Sequence, residues 1–120
     1  MEAGKGNGVL KIYASTTDRI GTNLLYEHLV HQAKNKGIAG VTVYRGIMGY
    51  GMSSKHISSS KFWELTEKLP VMIEIVDEMK ALEAFYKSIE PDLRKMSKGC
   101  LVSIEPIEIK LLKKGNIKTK

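Results

Sequence analysis

Apolar and polar residues alternate along VLKIYAS (9–15), so that Leu10, Ile12 and Ala14 fall on one face and Val9, Lys11 and Tyr13 on the other. That period of two predicts a first strand. The period then lengthens. Leu25, Leu29 and Ala33 recur at helical spacing with Tyr26 and Val30 beside them, Thr22 is placed to cap the start, and Gly37 follows a lysine-rich last turn. These features predict a first helix. AGVTVYR (39–45) is β-branched and aromatic, and LPVMIEIVD (69–77) puts Val71, Ile73 and Ile75 on one face, so both read as strands. Met79, Leu82, Phe85, Tyr86 and Ile89 follow the i, i+3, i+4, i+7 rule and predict a second helix, which Pro91 ends or restarts. The last apolar run, GCLVSIEPIEIKLL (99–112), reads as a strand. Pro106 has no N–H to give a ladder, which assigns this strand to an edge or a bulge.

The order β-α-β-β-α-β, with two helices that must each bury one apolar stripe, predicts an α+β, ferredoxin-like split βαβ sandwich. In it a four-stranded antiparallel sheet carries both helices on one face. Residues 1–8 are expected to form a flexible N-terminus, 9–112 the folded domain and 113–120 a basic C-terminal tail. The sheet face away from the helices would carry Val9, Tyr13, Met72 and Val76, an apolar surface that calls for a covering partner.

Composition narrows the class without changing this plan. A chain of 120 residues with 42% hydrophobic and 27% charged residues suits one soluble domain. The start, MEAGKGNG, lacks the apolar core of a secretory signal, and no apolar run approaches the ~20 residues of a membrane span, so a cytoplasmic protein is expected. The formal charge of +6 permits anionic partners, although KLLKKGNIKTK (110–120) holds much of the excess and reads as a solvated tail. Cys100 is the single cysteine; its neighbours in GCLVSIE suggest a buried small hydrophobe.

Catalytic chemistry finds little support. No serine, cysteine or carboxylate pair stands in a nucleophile or acid–base motif, and Glu74 and Asp77 point to opposite faces by alternation, so no enzyme and no catalytic residue is expected. His28 and His31 share a helix face but have no evident third ligand, and no metal site is expected. Strand three carries no aromatic and strand one only Tyr13, which argues against RNA recognition by the sheet. What remains is the segment GIMGYGMSSKHISSS (46–60), too long for a hairpin turn and rich in glycine and serine.

GIAGVTVYRGIMGYG, then LPVMIEIVD, then IEIKLLKKG resemble the second, third and last strands of nitrogen regulatory PII proteins. The likeness is greatest to a shorter, uncharacterised PII-like family in which a strand like LKIY and a helix like LLYEHLVHQAKNKGIAG appear in the same order. The resemblance implies a homotrimer whose sheets face a common axis, with ATP, ADP or AMP as candidate ligands in the cleft between neighbouring subunits. It also implies that loop 46–60 protrudes and reads a protein partner, by analogy a membrane transporter or channel. The candidate ligand-binding residues are Arg45, Gly46, Gly49, Gly51, Lys55 and Lys98, the glycines bringing backbone N–H groups to an anion and the cations supplying charge. Tyr50, Met52, Ser53, Ser54 and His56 are the candidate partner-reading residues. Signalling PII proteins carry a Gly-Asp-Gly-Lys core between helix two and strand four; here the region reads RKMSKGC (94–100), which predicts weaker or altered phosphate binding. A regulatory protein that binds a small anionic effector is therefore the favoured reading. A partner-binding module with no nucleotide is the alternative, ahead of a small enzyme or an RNA-binding module.

Overall fold

In the computed structural model, which describes residues 1–52, 55–59 and 68–116, the first strand β1 (Gly4–Ser15) runs through the middle of the molecule. A short hairpin, β2 (Arg19–Ile20) and β3 (Asn23–Leu24), leads into helix α1 (Leu25–Asn35). Strand β4 (Gly40–Arg45) follows, then a second small hairpin, β5 (Met48–Gly49) with β6 (Ser58–Ser59). Strand β7 (Pro70–Glu78), helix α2 (Met79–Lys95) and strand β8 (Leu101–Ile109) complete the chain. The main sheet is antiparallel with strand order β4-β7-β1-β8, the split βαβ arrangement expected, and Pro106 lies on an edge strand.

The alternation in the sequence decides which face is the core. Leu10 and Ile12 of β1 and Val71, Ile73 and Ile75 of β7 are buried against Leu25, Leu29 and Ala33 of α1 and Leu82, Phe85, Ile89 and Leu93 of α2. Burial of such side chains contributes about 1.5–3 kcal/mol each. Gly8 lies on the same face where α2 crosses β1; a Cβ there would collide with Met79 Sδ and lie 3.2 Å from Leu82 Cδ1. The crossing therefore needs a residue without a side chain.

Four local expectations are corrected. Residues 1–8 were expected to be flexible, yet β1 begins at Gly4. Buried Asn7 donates from Nδ2 to the carbonyls of Glu2 (2.8 Å) and Gly4 (3.0 Å), and a register shift between Gly4 and Asn7 passes through Gly6 at φ 93°. Thr22 does not cap α1. The N-cap position is Leu24, and the first helical amide, of Leu25, donates instead to the Asp18 carbonyl at 2.8 Å. Pro91 does not end α2, which continues to Lys95. Buried Leu93 anchors the turn beyond it, and the Arg94 guanidinium reaches back across the proline to Glu90 at 2.7 Å. Cys100 is exposed, because it precedes an edge strand. Partial shielding of its sulfur and the nearby Asp18 charge nonetheless hold the thiol above its usual range, which disfavours the nucleophilic thiolate. Gly37 behaves as expected, closing α1 at φ 75°.

Buried Asp77 ties three elements together. Its Oδ2 accepts the Ala39 N–H (2.9 Å) ahead of β4, and its Oδ1 accepts the Glu78 N–H (2.7 Å) at the entry to α2. Across the two helices His28 Nε2 lies 3.3 Å from Asp92 Oδ2. Among the described residues no group of three or more His, Cys, Asp or Glu could hold a metal ion, and no helix is long and apolar enough to cross a membrane. Ser53, Ser54 and Trp63 lie outside the described residues.

Candidate functional site

Val41 and Val43 on edge strand β4 sit opposite Ile75 and Ile73, on the helix side of the sheet, and alternation carries Arg45, opposite Val71, to the same side. There the chain leaves a cleft of about 770 Å3 between the end of β4, the start of α1 and the loop after β1. Val43, Val71, Leu24 and Tyr26 form its apolar wall, and Arg45, Arg19, Thr16 and Thr17 line the rest.

The loop that brings Arg19 to the cleft is fixed by its own hydrogen bonds. Asp18 is buried, and its Oδ2 accepts the Ser15 N–H at 2.9 Å while its N–H donates to the Ser15 carbonyl at 3.0 Å. Thr16 bonds Leu69 twice, N–H to carbonyl at 2.9 Å and Oγ1 accepting the Leu69 N–H at 3.0 Å. The Asp18 carboxylate is thus committed to its own turn. Arg19 donates from Nη1 to the Thr22 carbonyl at 2.9 Å across the β2–β3 hairpin, and the other donors of its guanidinium are not used there. Among the described residues neither Arg19 nor Arg45 has a carboxylate partner. Two uncompensated guanidiniums in one concave site create a field that favours an anion.

Of the described residues expected from sequence, Arg45 alone lines this cleft. Gly46 does not offer its amide to a ligand: its N–H donates to the Pro70 carbonyl at 2.7 Å. A Cβ on either Gly46 or Gly49 would come within 3.1 Å of Pro70 Cγ. These two glycines therefore let the stem of the loop close over Pro70, which is a packing role. Gly51, Lys55 and His56 are exposed, as are Tyr50 and Met52, at 74% and 103%. With Ile47, Met48 and Ile57 they give the loop an exposed apolar surface. Lys98 follows α2 and leads into β8, at the sheet edge opposite β4. Three strand spacings, roughly 14 Å, separate those edges, and Lys98 does not line the cleft that holds Arg45.

Arg19, Thr16, Thr17 and Tyr26 were not singled out from sequence. The first three lie in TTDRIGTNL (16–24), which has no hydrophobic period, and Tyr26 read only as a neighbour of the stripe on the first helix. A signal was nonetheless present in IGTN, where Gly21 at φ 60° opens the two-residue loop of a hairpin.

A second surface lies on the sheet face away from the helices. Tyr44, Met72, Tyr13 and Leu101 stand side by side across all four strands. Tyr44, Tyr13 and Leu101 are 47%, 42% and 52% exposed and Met72 is half-buried. The adjacent row is polar. Lys11 pairs with Glu105 at 3.3 Å, and the hydrogen bond and charge of Glu105 raise the lysine above its ordinary pKa. Val9, expected on the exposed face, is itself buried between Val76 and Glu105.

Comparison with known proteins gives this geometry a family. Residues 8–109 match the DUF190 family, described as Uncharacterized ACR, COG1993. A UPF0166 protein of Aquifex aeolicus (strain VF5) is 33% identical over 101 residues, covering 84% of this chain and 90% of that one. A UPF0166 protein of Methanocaldococcus jannaschii is 41% identical over 69 residues, 58% of this chain and 62% of that one. Among solved structures, a protein of Thermus thermophilus classed as PII-like signalling superposes with a TM-score of 0.59 at 12% identity, covering 91% of this chain and 93% of its own. CPII, a nitrogen regulatory PII-like protein of Thiomonas intermedia K12 bound to ADP, AMP and bicarbonate, gives 0.58 at 14% identity, covering 89% and 96%. The chain therefore belongs to the DUF190 family, and it carries the fold of the PII-like proteins.

Proposed function

We propose that this protein is a cytoplasmic, non-enzymatic regulator of the PII-like kind. It assembles as a homotrimer, responds to a small anionic effector of the adenine nucleotide class, and passes the response to a protein partner through loop 46–60. The cleft holding Arg19 and Arg45 without carboxylate partners among the described residues, on a fold whose Thiomonas relative binds ADP, AMP and bicarbonate, carries this reading. The trimer covers the row Tyr44, Met72, Tyr13 and Leu101, and Lys98 approaches the effector from the neighbouring subunit. The apolar loop residues Ile47, Tyr50 and Met52 meet the partner, which by likeness to PII signalling is a membrane transporter or channel.

Calorimetric titration with ATP, ADP, AMP and cyclic AMP, with phosphate release followed in parallel, tests the effector. Saturable heat with at least one nucleotide and no steady turnover is the expected result. Steady phosphate release would make the protein an enzyme. No heat with any of them at millimolar concentration would leave the second reading, a partner-binding module without a nucleotide, which the exposed apolar loop favours.

A further inference from the structure

We infer that the end of the molecule opposite loop 46–60 docks on an anionic phospholipid surface. Lys110, Lys113 and Lys114 after β8, with Lys5 and Lys80 beside them, meet the headgroups, and Leu111 and Leu112 enter the interface. The inference goes beyond the effector reading above and does not depend on it. Strand register carries the placement. Gly4 pairs with Ile109 and Asn7 with Glu78, so the start of β1, the end of β8 and the entry to α2 share one end of the sheet. Tyr13 pairs with Leu101 and Arg45 with Val71, which puts loop 46–60 at the other end.

The charge at the lysine end is largely uncompensated. All five lysines are exposed, and among the described residues only Lys110 has a carboxylate partner, Glu108 at 3.5 Å. Of the other acidic groups there, Glu78 lies 3.8 Å from the Met1 amine, and buried Asp77 accepts the Ala39 and Glu78 N–H groups. Glu2 is exposed and makes no ion pair among the described residues. No acidic residue follows Glu108 in the sequence. Between the lysines Leu111 is 79% exposed and Leu112 36%, and neither belongs to the core.

The kind of charge selects the partner. Arg19, Arg45 and Arg94, and the exposed Tyr13, Tyr44 and Tyr50, lie toward the other end. A nucleic acid is held by arginine forks and stacked aromatics, which the lysine end lacks among the described residues. Lysine point charges flanking leucines suit anionic headgroups above acyl chains. A chain seated this way holds loop 46–60 away from the bilayer, so lipid docking and loop docking on a membrane protein are alternative attachments.

Cosedimentation of the full chain with phosphatidylcholine vesicles holding about one-third phosphatidylserine, and with phosphatidylcholine alone, is the test. Wild type should bind the mixed vesicles at low salt, about tenfold more weakly or worse without phosphatidylserine, and less as salt rises. Each lysine near such a surface contributes roughly fivefold, so Lys113→Gln/Lys114→Gln should weaken binding by about tenfold or more. Leu111→Ser should weaken it by about threefold or more. Lys98→Gln, at the loop end and beyond the reach of unscreened charge, should stay within about twofold of wild type. Lys113, Lys114 and Leu111 are exposed and follow the last strand, so melting curves of these variants should match wild type. No binding of wild type to the mixed vesicles, equal binding by the double lysine variant, or equal binding to phosphatidylcholine alone would overturn the inference. Unchanged binding by Leu111→Ser would overturn the insertion of the leucines. Preference for duplex DNA over the mixed vesicles in competition would make this end a nucleic-acid surface and also overturn the inference. AMP titration of the double lysine variant should match wild type, which keeps this outcome separate from that of the effector reading.

Discussion

Gly8→Val is expected to destabilise the fold by about 3 kcal/mol, at the upper end of the cost of overfilling a packed core. At Gly8 even a Cβ collides with Met79 Sδ, and it lies 3.0 Å from the Glu105 carbonyl and 3.2 Å from Leu82 Cδ1. Met79 can swing aside, but the Glu105 carbonyl belongs to the paired backbone of β8 and Leu82 is fully buried. Gly8→Ala meets the same three neighbours with its Cβ alone, without the two further methyl groups of valine, and should cost less, about 1 kcal/mol. Urea denaturation of both variants measures the difference. A valine variant within about 0.5 kcal/mol of wild type would show that α2 is not held against β1 as closely as described.

Tyr13→Glu should convert the proposed trimer to monomers without unfolding the chain. Tyr13 is 42% exposed on the central strand, between Met72 and Leu101, so a single chain accommodates glutamate there at little cost. In a trimer that covers this face the same substitution places one unpaired carboxylate per chain in an apolar contact, and each costs several kcal/mol. The expected result is a threefold fall in particle mass by light scattering at micromolar concentration, with an unchanged circular dichroism spectrum. An unchanged mass would mean that subunits do not meet through this row.

The layers of the fold were legible because their signals are local and repeated. Leu10 and Ile12, Ile73 and Ile75, and Leu82, Phe85 and Ile89 report their faces by period alone, and Pro106 reports its edge by lacking an N–H. Where one tertiary bond overrides a local preference, the sequence misleads. Asn7 draws the N-terminal residues into β1 by bonding carbonyls at Glu2 and Gly4, and Leu93 and the Glu90–Arg94 pair carry α2 past Pro91. The site was half legible. Arg45 stands out at the end of a strand before a glycine. Arg19 does not, because only the turn around Asp18 shows that it lines the cleft beside β4 with no carboxylate partner among the described residues. The loop glycines misled for a related reason. A glycine that admits a ligand and one that admits Pro70 look alike until the neighbour is placed.

Native mass spectrometry of the full chain with AMP present examines assembly and effector together. The account predicts particles of three chains carrying up to one nucleotide per chain, with occupancy that falls as salt rises because the contact is between charges. A single chain at micromolar concentration, or a trimer that remains free of AMP, ADP and ATP alike at millimolar nucleotide, would contradict it.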